Sequence, residues 1–368
     1  MKKLITIIIA AIMIELMACT VWVTAPDVSA NGKLFIHKTR DWGKGKEIPV
    51  TLRHATMPSG GKYRALEFSP YMFFNEKGLA IVNTLLPKTA DYPTDGSKLH
   101  NIGPTMRKVI FSCATVQEAL EMLTKMTQDG SNPNASTYIL CDTREAAIAE
   151  VSPKHISHRI ISRGVAAHSN HFSSPEMAYL SKDTTDKVIK SATRLHVTTG
   201  LLIDKMKDDG KVSIADSVDV SRFHDDEKYP DMCPFRNSTV CASDYVPDAE
   251  YPDVLGTLHI VPGPTCYAVA IPIPMGIKKI PEVLENGALG KLAYQLKRSK
   301  IDGKTLKEKF FPLEENFRKE YEVASDTARK LLRDNQREDA LELLQKLADT
   351  QVAEAYALMQ DILEQKDN

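Results

Sequence analysis

The chain has 368 residues, 43% of them hydrophobic and 26% charged, with a formal net charge of −1. A balance so close to zero argues against a dedicated nucleic-acid binder, and the length suffices for one large core, alone or with a smaller appendage. The cysteines besides Cys19 (Cys113, Cys141, Cys233, Cys241 and Cys266) leave room for up to two disulfides in an oxidising compartment, with no spacing that fixes a pairing. His155 and His158 are three apart, but no Cys/His set has zinc spacing, and neither a metal nor an organic cofactor is expected.

The first stretch is basic at Lys2 and Lys3, then apolar from Leu4 to Ile14 apart from Thr6, and reaches a small residue at Ala18. It is too short to span a bilayer and reads as a secretory signal over residues 1–18, predicting export to the periplasm or beyond. Glu15 and Leu16 fit this reading imperfectly. Cleavage after Ala18 makes Cys19 the first residue of the mature chain. Leu16-Met17-Ala18-Cys19 is also similar to a lipobox. In that alternative Cys19 is lipidated, its sulfur in a thioether and its amine acylated, and the protein is a non-enzymatic surface lipoprotein. The two readings exclude each other.

An N-terminal cysteine carries its own base. A free thiol has a pKa of roughly 8.5 and an α-amine of roughly 8, so the amine can take the thiol proton without a histidine. Thr20 to Thr24 reads as a strand, Pro26-Asp27 and Asn31-Gly32 as turns, and Leu34 to Lys38 as the returning strand. This hairpin brings Lys38 and Asp41 back towards Cys19, where Asp41 can hold the ammonium.

Further strands are expected at Pro49 to His54, Tyr63 to Phe68 and Gly78 to Thr84, with Asn75-Glu76-Lys77-Gly78 as a turn. Pro104 to Phe111 and Val116 to Met126 read as helices, the second capped by Thr115 with Glu118 in its third position. Ser136 to Cys141, Ala146 to Val151 and Ile156 to Ile161 read as strands, and Asp186 to Met206 as a long amphipathic helix. Phe223 to Asn237 is rich in loop residues, and strands are expected near Thr239 to Ala242, Leu255 to Ile260 and Cys266 to Ile271. From Gly303 the character changes. Phe311 to Gln365 is charged, glycine-free and helical in period, a hairpin turning at Asp334-Asn335. One helical pair is too little for a repeat array, so it is expected as a cap on the main domain. The order of elements predicts α+β with stacked sheets. The organisation expected is a signal over 1–18, a catalytic domain over 19–302 and a helical extension over 303–368.

Cys19-Thr20 at a cleavable start, with Lys38-Thr39-Arg40-Asp41-Trp42, resembles the N-terminal-nucleophile hydrolases. Asn75-Glu76-Lys77-Gly78-Leu79, His168-Ser169-Asn170-His171-Phe172, Ser191-Ala192-Thr193-Arg194 and Pro262-Gly263-Pro264-Thr265-Cys266 follow in the order these segments take in one branch. That branch joins the choloylglycine hydrolases and penicillin V acylases to the acyl-coenzyme A:6-aminopenicillanate acyltransferase-like (isopenicillin N acyltransferase) group. The resemblance covers roughly Cys19 to Pro274 and implies a four-layer αββα sandwich, here with a C-terminal helical extension.

By the same resemblance, Cys19 matches the nucleophile, Asp41 the acid that bonds its amine, Asn170 an oxyanion donor and Arg194 an electrostatic support. Asn83 is expected as a second oxyanion donor. Two departures stand out: Lys38-Thr39 replaces the Arg-Asn of bile-salt hydrolases, and Leu85 stands where those enzymes have an asparagine before Phe-Pro. Both argue against bile salts as substrate. The implied activity is cleavage of a linear amide through a thioester, with acyl transfer to an amine as the alternative. The expected partner is a small-molecule amide, with no nucleic acid, a membrane only if Cys19 is lipidated, and a homo-oligomer allowed.

Overall fold

The computed structural model describes residues 19–43, 46–57, 60–86, 89–92, 102–132, 134–181, 186–225 and 227–367. The expected signal over 1–18 lies outside the described residues. Among the described residues, thirteen strands build two antiparallel sheets. The first holds β1 (Thr20–Thr24), β2 (Phe35–Asp41), β10 (Val165–His168), β11 (Thr239–Val246), β12 (Thr257–Val261) and β13 (Ile271–Pro274), in the order β10-β1-β2-β11-β12-β13. The second runs in sequence order through β3 (Leu52–His54), β4 (Ala65–Phe68), β5 (Met72–Asn75), β6 (Ala80–Leu85), β7 (Ser136–Cys141), β8 (Ala146–Val151) and β9 (Ile156–Ile161).

Side-chain alternation sorts these strands into layers. Val21, Val23 and Ile36 face inward and meet Leu66, Phe68, Phe74, Val82 and Ile139 of the second sheet in one apolar cluster. The outer face of the second sheet, with Phe73, Ile81 and Leu140, packs on helices α1 (Gly103–Ser112) and α2 (Val116–Gln128) through Met106, Ile110, Leu120 and Leu123. The outer face of the first, with Trp22, Phe35 and Ala167, packs on α3 (Asp186–Lys205) and α4 (Ile214–Ser221) through Leu202 and Val220. The result is an α+β sandwich layered αββα. Each fully buried large apolar side chain contributes roughly 1.5–3 kcal/mol.

Local chemistry explains the element ends. Thr115 caps α2, its hydroxyl accepting from the Glu118 N–H. Ser213 and Asp216 form a capping box at α4, a helix the sequence reading did not foresee. Asn75 saturates its turn. Its Oδ1 accepts from Lys77 and Leu79 N–H, and its Nδ2 donates to the Ile110 and Cys113 carbonyls of α1. Gly78 has φ +85°, and a Cβ there would lie 2.8 Å from the Thr143 side chain, so glycine is required.

The strand expected over Cys266 to Ile271 is corrected. Thr265–Tyr267 is a short 3₁₀ turn and the strand begins at Ile271. The reason is the Arg222–Glu314 pair. Arg222 takes the Thr265 and Ala268 carbonyls, and Glu314 takes the Ala270 N–H, so side chains replace a sheet ladder there.

The C-terminal region contributes α5 (Ala288–Arg298), α6 (Gly303–Arg333) and α7 (Arg337–Asp367). The last two form the expected hairpin, turned by Asn335 at φ 61°. Phe310, Phe317, Val352 and Met359 join the inner cluster beside Ile271 and Ile273, so the hairpin is a cap packed on the sandwich. All six cysteines are free and buried. No described helix is long and apolar enough to cross a membrane.

Candidate active site

Cys19 stands immediately before β1 and is 4% exposed. Strand register assembles its surroundings. Val21 pairs with Lys38 of β2 on one side and with His168 of β10 on the other. The chain leaving β10 therefore brings Ser169 and Asn170 alongside Cys19. The Cys19 backbone N–H donates to Asn170 Oδ1 at 2.7 Å, and the Ser169 hydroxyl lies 3.5 Å from the Cys19 carbonyl.

That segment is held from behind. Glu150 on β8 accepts from His168 Nε2 at 2.8 Å, from the Ser173 N–H at 2.6 Å and from the Ser174 hydroxyl at 2.5 Å. Burial opposes the ionised carboxyl of Glu150, but these hydrogen bonds and the His168 charge outweigh it and lower the pKa to about 2. The Thr84 hydroxyl donates to the Ser169 carbonyl at 2.7 Å.

Arg194 arrives from α3, fully buried. Its Nη2 donates to Ser169 Oγ at 2.5 Å and to Asn170 Oδ1 at 2.8 Å. Burial, and then the neighbouring Arg236 charge, lower its pKa to about 9, against the pull of Asp41 and Cys19. The orientation of the Asn170 amide follows from its partners. The Cys19 N–H and the guanidinium only donate, so they face the amide oxygen, and the Leu85 carbonyl only accepts, so it faces Nδ2 at 2.8 Å. Asn170 was expected as an oxyanion donor. Its amide oxygen holds the Cys19 nitrogen.

Lys38 shares the inner face of the first sheet with Val21, and Asn83 stands on β6 of the second sheet. Lys38 Nζ donates to Asn83 Oδ1 at 2.8 Å and to the Tyr71 carbonyl at 3.0 Å. Desolvation lowers the Lys38 pKa to about 8, with Cys19 pulling it up and Arg40 pushing it down. Asn83 Nδ2 donates to Ser136 Oγ at 3.0 Å.

Asp41 ends β2 and points to the other side of that strand. Its carboxylate accepts from the Arg236 guanidinium and, at 2.6 Å, from the Thr239 hydroxyl. The Arg236 N–H in turn donates to Thr239 Oγ1 at 2.9 Å. The structure thus places Cys19, Asn170 and Arg194 in one hydrogen-bonded chain, whereas Asn83 bonds Lys38, which reaches Cys19 only electrostatically. Asp41 enters the same electrostatic cluster through Arg236.

Two residues escaped the sequence reading. Arg236 lies in an irregular loop and meets Asp41 from 195 residues away, so no local pattern announces it. Arg40 stands beside Lys38, donates to the Ser69 hydroxyl and stacks over the Trp42 and Tyr71 rings at 5.0 and 5.5 Å. Its alternation with Lys38 along β2 was the available signal. Ser69 and Tyr71 have φ of 47° and 77°, a strain of roughly 1–3 kcal/mol each. The turn they make presents a hydroxyl to Arg40 and a carbonyl to Lys38.

The sum is a buried thiol and the Asp41 carboxylate among four cations, Lys38, Arg40, Arg194 and Arg236, with Asp231 3.9 Å from Arg236. Such a site suits chemistry that develops negative charge. The fold joins an αββα layering to a buried cysteine that leads a central strand. Residues 69–247 match the family described as acyl-coenzyme A:6-aminopenicillanic acid acyl-transferase. The match takes in Asn83, Asn170, Arg194 and Arg236 and begins after Cys19 and Asp41.

Among solved structures, penicillin V acylase from Agrobacterium tumefaciens aligns at 17% identity, covering 70% of this chain and 86% of that one, with a TM-score of 0.42. A variant of conjugated bile acid hydrolase from Clostridium perfringens aligns at 11% identity, covering 70% and 92%, also with a TM-score of 0.42. No curated protein matches the chain.

Proposed function

We propose that this protein is an exported amidase that cleaves a linear amide C–N bond with Cys19 as nucleophile and the Cys19 α-amine as base. The observation that carries the reading is the Cys19 nitrogen, held at 2.7 Å by the amide oxygen that Arg194 also binds. After cleavage following Ala18, that nitrogen becomes an amine fixed next to its own thiol.

The thiol proton passes to the amine, and the thiolate attacks the substrate carbonyl. Asn83 offers the oxyanion the amide hydrogen that Ser136 does not take, backed by the Lys38 charge. The α-ammonium returns its proton to the leaving nitrogen, the C–N bond breaks and a thioester remains. Water, deprotonated by the amine, attacks the thioester, and the acid leaves as the thiol is restored. An amine in place of water would give acyl transfer. Export favours hydrolysis, because coenzyme A thioesters are cytoplasmic. Asp41, tied to Arg236 and Thr239, supplies the fixed negative charge that favours the ammonium.

The test is a hydrolysis assay with N-acyl amino acids, penicillin V and small peptide-like amides. Wild-type protein is expected to release amine from at least one class, and Cys19→Ala to lower that rate roughly thousandfold or more. Full activity in Cys19→Ala contradicts the proposal.

A further inference from the structure

A cleft of about 1020 Å³ lies between the turn of the β1–β2 hairpin, the chain following β11 and one face of α6. Pro26 on its rim is separated from Cys19 by roughly 20 Å of extended chain, so the cleft is remote from the thiol. Its volume is that of an ordinary small-molecule site. Many of its charges are already engaged: Arg329 and Arg333 are held by Glu250, and Lys319 by Glu315.

The side chains of His259, Arg318, Arg144, Glu322 and Asp326, all of which line the cleft, form no hydrogen bond or ion pair with a described residue. His259 on β12 is 8% exposed, and its ring nitrogens hydrogen-bond to no described residue. Neither ring nitrogen is a fully buried orphan, so the ring presents them to the cleft it lines. Burial lowers its pKa to about 4, so the ring is neutral at pH 7 and offers one N–H. Its ring meets the edge of Tyr321 with centroids 6.3 Å apart. Arg318 precedes Tyr321 by one helical turn and shares its face of α6. Glu314, Glu315 and Glu322 surround it electrostatically, yet it makes no ion pair or hydrogen bond with a described residue. A planar guanidinium and a neutral N–H donor, together in a cleft, match a carboxylate.

We propose that this cleft is a second ligand site, separate from the Cys19 centre, that takes the carboxylate of a small organic acid on Arg318 and His259. The proposal does not depend on the amidase reading, because its readout is local to the cleft. The probe is hexanoate, titrated into the full chain while the histidine ring signals are followed by proton–nitrogen NMR. The His259 signal is identified by its loss in His259→Gln. A saturable shift of that signal is expected, weakened about tenfold or more in Arg318→Gln. Hexylamine, with the same tail and no carboxylate, is expected to leave it unmoved. Arg318 lies on a partly exposed helix face, and an unchanged circular dichroism melt confirms that its variant folds. A His259 signal indifferent to hexanoate, an equal affinity in the folded Arg318→Gln variant, or equal binding of hexylamine would each overturn the proposal.

Discussion

Asn170 shows how a small set of contacts fixes a reactive group. Two donors meet its oxygen and one carbonyl meets its nitrogen, so the amide has one orientation and the Cys19 nitrogen one place. Asp41 is fixed as firmly, and its guanidinium partner sets the strength of its field at the site. Arg236→Leu leaves a fully buried carboxylate with only the Thr239 hydroxyl. A loss of roughly 3–5 kcal/mol is expected in urea denaturation, with turnover falling further than stability requires. Arg236→Lys restores the charge without the fork and is expected to recover part of each. An Arg236→Leu variant with unchanged stability and rate would remove this pair from the account.

Lys38 gives the site a pH dependence with a definite sign. It is charged below about pH 8 and neutral above, so the cation backing the oxyanion is lost as pH rises through that value. The amidase rate is expected to fall above about pH 8, and Lys38→Arg, which stays charged, to carry the plateau upward. An identical profile in Lys38→Arg would separate Lys38 from the reaction. Short linear patterns pointed to Cys19 just before β1, Asp41 at the end of β2, Asn83 within β6, Asn170 after β10 and Arg194 within α3. Orientation was not legible: which atom of the Asn170 amide faces the Cys19 nitrogen depends on Leu85 and Arg194, from distant elements.

At the scale of elements, β1, β7, β8 and β9 could be read from alternation and turn residues, since each is flanked by clear punctuation. The four-residue β10 could not, because it is too short to show a period. The false strand at Cys266 to Ile271 has the same lesson from the other side. Its apolar sequence suits a strand, but long-range side chains satisfy its backbone. Those side chains also join the C-terminal hairpin to the sandwich. Arg222 and Glu314 form a buried ion pair between the end of α4 and α6. Glu314→Leu strips both Arg222 and the Ala270 N–H of their partner. A loss of roughly 3–5 kcal/mol is expected by urea denaturation, whereas the double variant Arg222→Leu/Glu314→Leu recovers much of it. A Glu314→Leu variant as stable as wild type would show that apolar packing alone holds the cap.

At the scale of the molecule, the sandwich keeps two polar centres apart, Cys19 at one end of β1 and the Arg318–His259 cleft at the other. Near-zero net charge hides this, since the cations that matter are buried among the sheets and helices. Burial also suppresses ionisation of three other thiols. It pushes Cys113 and Cys241 up to about 11 and Cys266 to about 12, so these remain protonated at neutral pH. The most direct test of the central claim is the intact and N-terminal peptide mass of protein exported by a bacterial host, before and after brief iodoacetamide treatment. The account predicts a chain that starts at unmodified Cys19, whose thiol is alkylated first with parallel loss of amidase activity. A diacylglyceryl mass on Cys19, or full activity in a chain that still carries residues before it, would contradict it.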